Sequence, residues 1–489
     1  MRDAFSTAEL EHQQDIVWAR KYHDGEQGVK LTPRLEQFIN TNFEFRLNIC
    51  KTVVVAVSEK LRVTGFNSGN TSLIEWAQAI WRHNKMGARQ EDIYENSLRD
   101  GESFIIVEWD NDEAIPIFST NERYTDTSVD GNGSGVWAVY NQDDPNQDML
   151  YAVKQWIEKV DDTENYIIRR NFYYPDRIEK WYTDGYTEWK HYSEEGEGWP
   201  IPWTGSDGQP LGIAVIPFNN RGLRCEAWDA FPPQDALNKT FVDLLSSSDL
   251  TAFRIYYALG FIPTSDGKAP ADDGSNLLRV EPGTVISTTK SKRDAEFSAV
   301  DPADVAPLMN LAHQIVLWCA MVTNTPVSRF ISTRLVASNE TLKEQEGPLI
   351  ARVTARQESF GSAWTDCFTL ALKLTEKFGD GTYNVSAGGT VDPLWAEATS
   401  RGESEKLNDL KVKKDLGVPQ EQLWVEMGYD TQTIEKMKAM KEEARDEQQR
   451  IFGTGQSGTE SGGDESGNGD EPDTGTSSGG SSQSEDTSE

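Results

Sequence analysis

The chain has 489 residues, 10% of them aromatic, and a formal net charge of −33. That length suits a few domains with sizeable cores. So acidic a balance excludes a protein that grips nucleic acid through a broad basic face, because phosphate neutralisation needs clustered Lys and Arg; it still permits one that surrounds DNA without sticking to it.

The N-terminal quarter reads as helical. Met1-Arg2-Asp3 leads into a mixed polar helix pattern and not an apolar run, so no secretory leader is expected. "STAELEHQQDIVWARKYHDG" offers Ser6 as N-cap and Gly25 as stop. "TPRLEQFINTNFEFRLNICKTVVVAVSEKLRVTGF" starts with Thr32 as cap and Pro33 at the first helical position. "NTSLIEWAQAIWRHNK" and "MGARQEDIYENSLRDG" are two more helices, the second stopped by Gly101. The period then switches to two. "SFIIVEW", "VWAVYN", "LYAVKQWIEKV", "NYIIRRNFYY", "RIEKWYT" and "GIAVIPF" are strands between Asp/Asn/Gly-rich turns. The connections are too short and polar for crossover helices, so the sheet should be mostly antiparallel and the first 230 residues or so an α+β domain.

"PPQDALNKTFVDLLSSSDLTAFRIYYALGF" reads as one long helix ended by Gly260. A Gly/Pro/Asp-rich insert, 264–300, follows with two short strand patterns, "LLRV" and "GTVIST". The chain returns through "VDPADVAPLMNLAHQIVLWCAMV", where Asp301 as N-cap and Pro302 predict a helix start, with Pro307 less comfortable beyond it. The layout is an out-and-back pair of helices with a small module at the tip. "TNTPVSRFISTRLVAS" then interrupts the helical pattern, with Pro326 helping to end the first helix and Ser338 starting the next. That next helix runs toward Phe378, with Gly347-Pro348 inside it and a kink expected near Glu344–Pro348. "TYNVSAGGTVDPLW" is strand or loop, and three more helices follow. Residues 454–489 hold nine acidic and no basic residues and no Leu, Ile, Val or aromatic, so a disordered acidic tail is expected.

Chemistry-bearing motifs are absent. There is no P-loop, HExxH or GxSxG, and no zinc-spaced Cys/His set. Cys50, Cys225, Cys319 and Cys367 lack CxxC spacing and read as reduced core residues of a chain made in a reducing cytoplasm. His313 sits on an apolar helix and reads as a packed or interfacial residue and not as a catalytic base. Acidic pairs such as Asp272-Asp273 and Glu194-Glu195 read as solvated loops, and they are the only footing for a metal-dependent nuclease or hydrolase. The longest apolar stretches fall short of the roughly 18 residues that span a bilayer, so no membrane is implied. Basic residues cluster in three places: Lys290, Lys292 and Arg293 in the insert; Lys411, Lys413 and Lys414 on a C-terminal helix; Arg329 and Arg334 in the interrupting loop.

The order of segments resembles the portal proteins of tailed bacteriophages, in the branch typical of long-tailed siphoviruses. The resemblance starts at "ARKYHDGEQ" and continues through "NICKTVVVAVSEKLRVTGF" and "IWRHNKMGARQEDIYENSLRDGESFIIVEW". It includes "GIAVIPFNNRG" before "PQDALNKT", then "NTPVSRFI" and "SNETLKEQEGPL", and covers residues 20 to 450 or so. The specificity lies in the ordered set and in no single motif.

The resemblance implies a non-enzymatic ring of about twelve subunits at one capsid vertex, through which double-stranded DNA is packaged, retained and ejected, and which connects head to tail. It implies no cofactor. It divides the chain into a wing (1–231), a first stem helix (232–263), a clip (264–300), a second stem helix (301–322), a tunnel loop (323–338), a long kinked helix (339–378), a helical crown (379–453) and the acidic tail (454–489). By resemblance Arg329, Phe330, Arg334 and Val336 of the tunnel loop face the DNA channel. Lys290, Lys292 and Arg293 of the clip meet the packaging ATPase (the large terminase subunit) and later the head-completion and adaptor proteins. The major capsid protein and scaffold are further implied partners, and the virion is the implied location. A different minor capsid or adaptor component is the structural alternative. An acidic channel wall would repel DNA within a Debye length of ~8 Å at physiological salt, which favours sliding over adhesion.

Overall fold

The computed structural model describes residues 7–29, 47–125, 133–141, 148–159, 166–184, 188–193, 198–252, 256–259, 296–299, 304–331, 339–379, 389–399 and 403–420, with isolated positions elsewhere up to 443. The second half of the Thr32 helix pattern is among them. Its first half, the "LLRV" and "GTVIST" patterns, Asp272-Asp273, Glu194-Glu195 and the acidic tail lie outside the described residues. The chain divides into two compact units, Met1–Ser400 and Arg401–Glu489.

In the first unit, helix ends follow local chemistry. α1 (Thr7–Asp24) ends where Gly25 takes a φ of 75°. α2 (Ile49–Ser58) is capped by the Asn48 side chain, which accepts from the Lys51 N–H at 3.2 Å. α3 (Thr71–His83) is capped by Asn70, which accepts from the Ser72 N–H at 3.0 Å. α4 (Met86–Asp100) stops at Gly101, whose φ is 93° and where a Cβ would meet the Leu223 carbonyl at 2.5 Å. Only glycine fits that position.

Among the described residues the strands pair antiparallel, as the short connections predict. β1 (Val63–Asn67) pairs with β13 (Asp392–Trp395). β2 (Glu102–Asp110) lies between β3 (Ile115–Glu122) and β10 (Val215–Asn219) in a three-stranded sheet. A second sheet runs β4 (Gly135–Tyr140), β5 (Met149–Lys159), β6 (Tyr166–Tyr173), β7 (Arg177–Thr183) and β8 (Lys190–His191), with β9 (Ile201–Pro202) also on β7. The fold is mixed helix and sheet, of the α+β class. Phe104, Ile105, Ile106 and Val107 of β2 are consecutive and all fully buried, so that strand is covered on both faces.

The hairpin that leaves this body is built from α5 (Phe231–Ala252), β11 (Tyr256–Leu259), β12 (Glu296–Ala299) and α6 (Ala306–Val322). Two boundaries differ from the sequence expectation. The first helix does not run to Leu259: Tyr256–Leu259 is a strand that pairs antiparallel with Glu296–Ala299. Two adjacent tyrosines suit a strand, and a partner strand 40 positions later is invisible to a local pattern. The returning helix starts at Ala306 and not after Asp301, so the proline in its first turn is Pro307. Proline is tolerated there because the first helical N–H groups have no intrahelical acceptor.

α7 (Asn339–Phe378) starts one residue after Ser338 and continues as one helix through Pro348. Its C-terminal half is a core element of the first unit. Trp364 packs against Trp81 and Phe218 with ring centroids 4.8 and 5.1 Å away, and Phe368 against Phe66 at 4.8 Å. In the second unit α8 (Glu403–Asp415) ends before Gly417, whose φ is 87°. No helix among the described residues is long and apolar enough to cross a membrane.

Candidate functional site

The candidate site lies where the hairpin returns to the body and the chain turns into the interrupting loop. α6 buries one stripe, Ala312, Ile315, Val316, Cys319 and Ala320, at helical spacing. Away from that stripe Leu311, Trp318, Met321 and Val322 are exposed, with Met321 68% exposed, alongside the polar Asn310 and Gln314. Large apolar side chains exposed close together on one helix face suit a partner surface.

The end of α6 is a Schellman arrangement with asparagine in the left-handed position. Asn324 has a φ of 49° and donates its N–H to the Met321 carbonyl at 3.3 Å. The Thr325 N–H reaches the Ala320 carbonyl at 3.0 Å. The Thr323 hydroxyl donates to the Cys319 carbonyl at 2.7 Å. Pro326 follows at once, where it cannot continue the helix.

Two arginines of α7 fasten this helix end. Arg352 donates through Nε to Glu226 Oε1 at 2.8 Å, and through Nη1 to the Thr323 carbonyl and to the Thr325 hydroxyl at 3.2 Å. Arg356, one turn on, donates through Nη2 to Glu226 Oε2 at 2.8 Å. The Glu226 side chain is 6% exposed, and its N–H is held by the Leu98 carbonyl at 2.8 Å. Burial pushes this carboxyl up, but Arg352 and Arg356 outweigh it and hold it below the usual carboxylate range. The end of the hairpin, the long helix and the sheet-bearing body are thus tied at one charged point.

The predicted channel residues divide. Arg329 lies in a short 3₁₀ turn, Val327–Arg329, with Nη1 2.7 Å from Glu59 Oε2. Phe330 and Ile331 are half-buried against the core of the first unit. Arg334 and Val336 lie outside the described residues, as do Lys290 and Lys292. Arg293 is exposed in a turn before β12. Sequence reading missed Glu226, Arg352 and Arg356. The usable signal was two arginines four positions apart on a helix that elsewhere turns apolar residues inward; their common acceptor lies 126 positions away from Arg352. Among the described residues no three His, Cys, Asp or Glu side chains come together as a metal site needs.

A family model described as phage portal protein, SPP1 Gp6-like, matches residues 57–450. The chain belongs to the phage portal protein family. The portal protein of Mycobacterium phage L5 is 21% identical over 500 residues, covering 94% of this chain and 90% of that one. The portal protein of Mycobacterium phage D29 is 26% identical over 281 residues, covering 55% of each chain. Portal proteins are structural components of the virion that assemble as rings and serve genome packaging, so this chain has a portal role, with a ring oligomer and capsid-assembly partners.

Proposed function

We propose that the chain forms a ring of about twelve copies at one capsid vertex, and that its hairpin lines a passage for double-stranded DNA during packaging, retention and ejection. The observation that carries this reading is the exposed apolar stripe of α6 on a hairpin whose end is fastened to the body by Glu226, Arg352 and Arg356. A neighbouring copy is the natural cover for that stripe, since a closed ring offers every copy the same partner surface. The wing, stem, clip, tunnel loop, long helix and crown divide the chain as the resemblance implies, except that Tyr256–Leu259, assigned to the first stem helix, is a strand.

Within the tunnel loop, Arg334 and Val336 are the residues assigned to the channel side. Arg329 and Phe330, held by Glu59 and by the core, form its root. The clip residues Lys290, Lys292 and Arg293 are assigned to the packaging ATPase and, after packaging, to the adaptor proteins of the head–tail junction. The protein contributes no catalysis of its own; energy for DNA movement comes from the ATPase docked on it.

The test uses phage whose portal gene carries Arg334→Ala with Val336→Ser. Rings and capsids form in normal number, and the share of DNA-filled heads falls. Unchanged filling removes the channel assignment. Replacing Lys290, Lys292 and Arg293 by Ala weakens capture of the packaging ATPase on immobilised rings; unchanged capture removes the clip assignment.

A further inference from the structure

Glu59 and Lys60 are consecutive residues at the C-terminal end of α2, and each reaches a different side of the chain's interruption. Glu59 Oε2 lies 2.7 Å from Arg329 Nη1, in the short turn that follows the second stem helix. Lys60 Nζ lies 3.7 Å from Glu346 Oε2, in the first turns of α7, and donates to the Ala398 carbonyl at 2.9 Å. Arg329 and Glu346 are 17 positions apart. One dipeptide, with one charge of each sign, therefore holds the chain before the interruption and the chain after it.

The first of these contacts is a poor candidate for stabilising the fold. The Arg329 and Glu59 side chains are 32% and 44% exposed, and pairs in that setting contribute little to stability. Both contacts do something else. Fixing both roots sets the span that the intervening residues must close, which restricts the conformations open to them. The opposite signs also set a register: the cation goes to Glu59 and the anion to Lys60, and the exchanged arrangement would place like charges together. Finally, Glu59 neutralises an arginine that would otherwise stand as an exposed cation in a very acidic protein and attract phosphate.

We propose that Glu59 and Lys60 are positioning residues, a two-sign clasp that fixes both roots of the segment between the second stem helix and the long helix. Arg329 then acts through Glu59 and not by holding DNA. This rests on the reading of that segment as channel-side, and the experiment separates the two.

Phage are made with Glu59→Arg, with Arg329→Glu and with both. Each single change puts like charges at the first root, and each lowers the share of DNA-filled heads by about fivefold while rings form and melt as the parent does. The double variant restores the pair with its signs exchanged and recovers filling to within about twofold of the parent. Recovery is the result a clasp requires and a phosphate-holding arginine forbids, because Glu at 329 repels DNA whatever stands at 59. A double variant as poor as Arg329→Glu overturns the proposal, and so do single variants that fill normally. Lys60→Glu, Glu346→Lys and their combination repeat the cycle at the second root. Should a reversal prevent folding, Glu59→Gln and Arg329→Gln replace it: the double then matches either single, whereas additive losses overturn the clasp. Failure of the unaltered chain to form rings or to fill heads would instead defeat the portal-channel reading itself.

Discussion

Arg352 and Glu226 stand 126 positions apart in sequence and meet with Nε 2.8 Å from Oε1, at the point where the second stem helix ends. The same guanidinium holds the Thr323 carbonyl, an acceptor that the helix end leaves without an intrahelical donor. A buried carboxylate with two arginines on it is costly to break from one side, because the remaining charges stay buried and unpaired. Arg352→Ala and Glu226→Ala are each expected to destabilise the chain by about 3–5 kcal/mol in denaturant unfolding. Arg352→Lys recovers only part of this, since an ammonium cannot serve carboxylate and carbonyl in one fixed fork. A loss below about 1 kcal/mol for Arg352→Ala would show the junction to be ornamental.

Acid should loosen the protein through a few identifiable carboxylates. Glu226 is held low by Arg352 and Arg356 against burial. Glu102 is held low by Arg123 and His12, again against burial. Glu95 is held low chiefly by its hydrogen bond with His23. A carboxyl whose folded pKa is depressed binds more protons when unfolded. Its contribution is therefore complete above the ordinary value of about 4.3 and is lost as pH falls through the lower folded value. Melting temperature is expected to be level between neutrality and mildly acidic pH and to drop below that window. Glu226→Gln lowers the plateau and makes the acid slope shallower; an unchanged slope contradicts the assignment.

The thiols should be silent in the native protein. Cys50, Cys319 and Cys367 are at most 1% exposed and Cys225 is 7% exposed. Burial pushes Cys225 and Cys319 up to about 12, and it raises Cys50 and Cys367 as well. A thiol reagent at neutral pH is expected to modify none of the four until denaturant is added, and then all four. Rapid labelling of any of them in the folded chain would contradict the packing described.

Trp364 carries the join between the long helix and the sheet. It is fully buried and donates Nε1–H to the Tyr94 hydroxyl at 2.8 Å. Trp364→Ala is expected to cost about 3–5 kcal/mol through the cavity it leaves. Trp364→Phe keeps most of the apolar contact and costs about 1 kcal/mol through the lost hydrogen bond. Comparable losses in the two variants would mean that ring volume is not what holds α7 in place.

Much of the first unit was legible locally. Gly25 stops α1, Gly101 stops α4, and the two-residue alternation marked six of the strands in their antiparallel sheets. The failures share a cause. β3, "IPIFSTNE", has a proline and a polar end and is a strand because β2 lies beside it. Tyr256–Leu259 continued a helical stripe on paper and left it because Glu296–Ala299 offers backbone partners. The interrupting loop was recognisable by its Pro, Ser, Thr and Arg content, but its anchors were not. Glu226, Glu59 and Lys60 carry no local signal of this role, because only the fold brings Arg352, Arg329 and Glu346 to them.

The central claim is that this chain works as a ring around DNA, and direct imaging tests it most simply. Electron microscopy of the purified full chain is expected to show rings of about twelve copies, with a central opening wide enough to pass a duplex and the α6 stripe of Leu311, Trp318 and Met321 covered by the neighbouring copy. Compact single copies under assembly conditions, or rings that leave the α6 stripe in solvent, would contradict it.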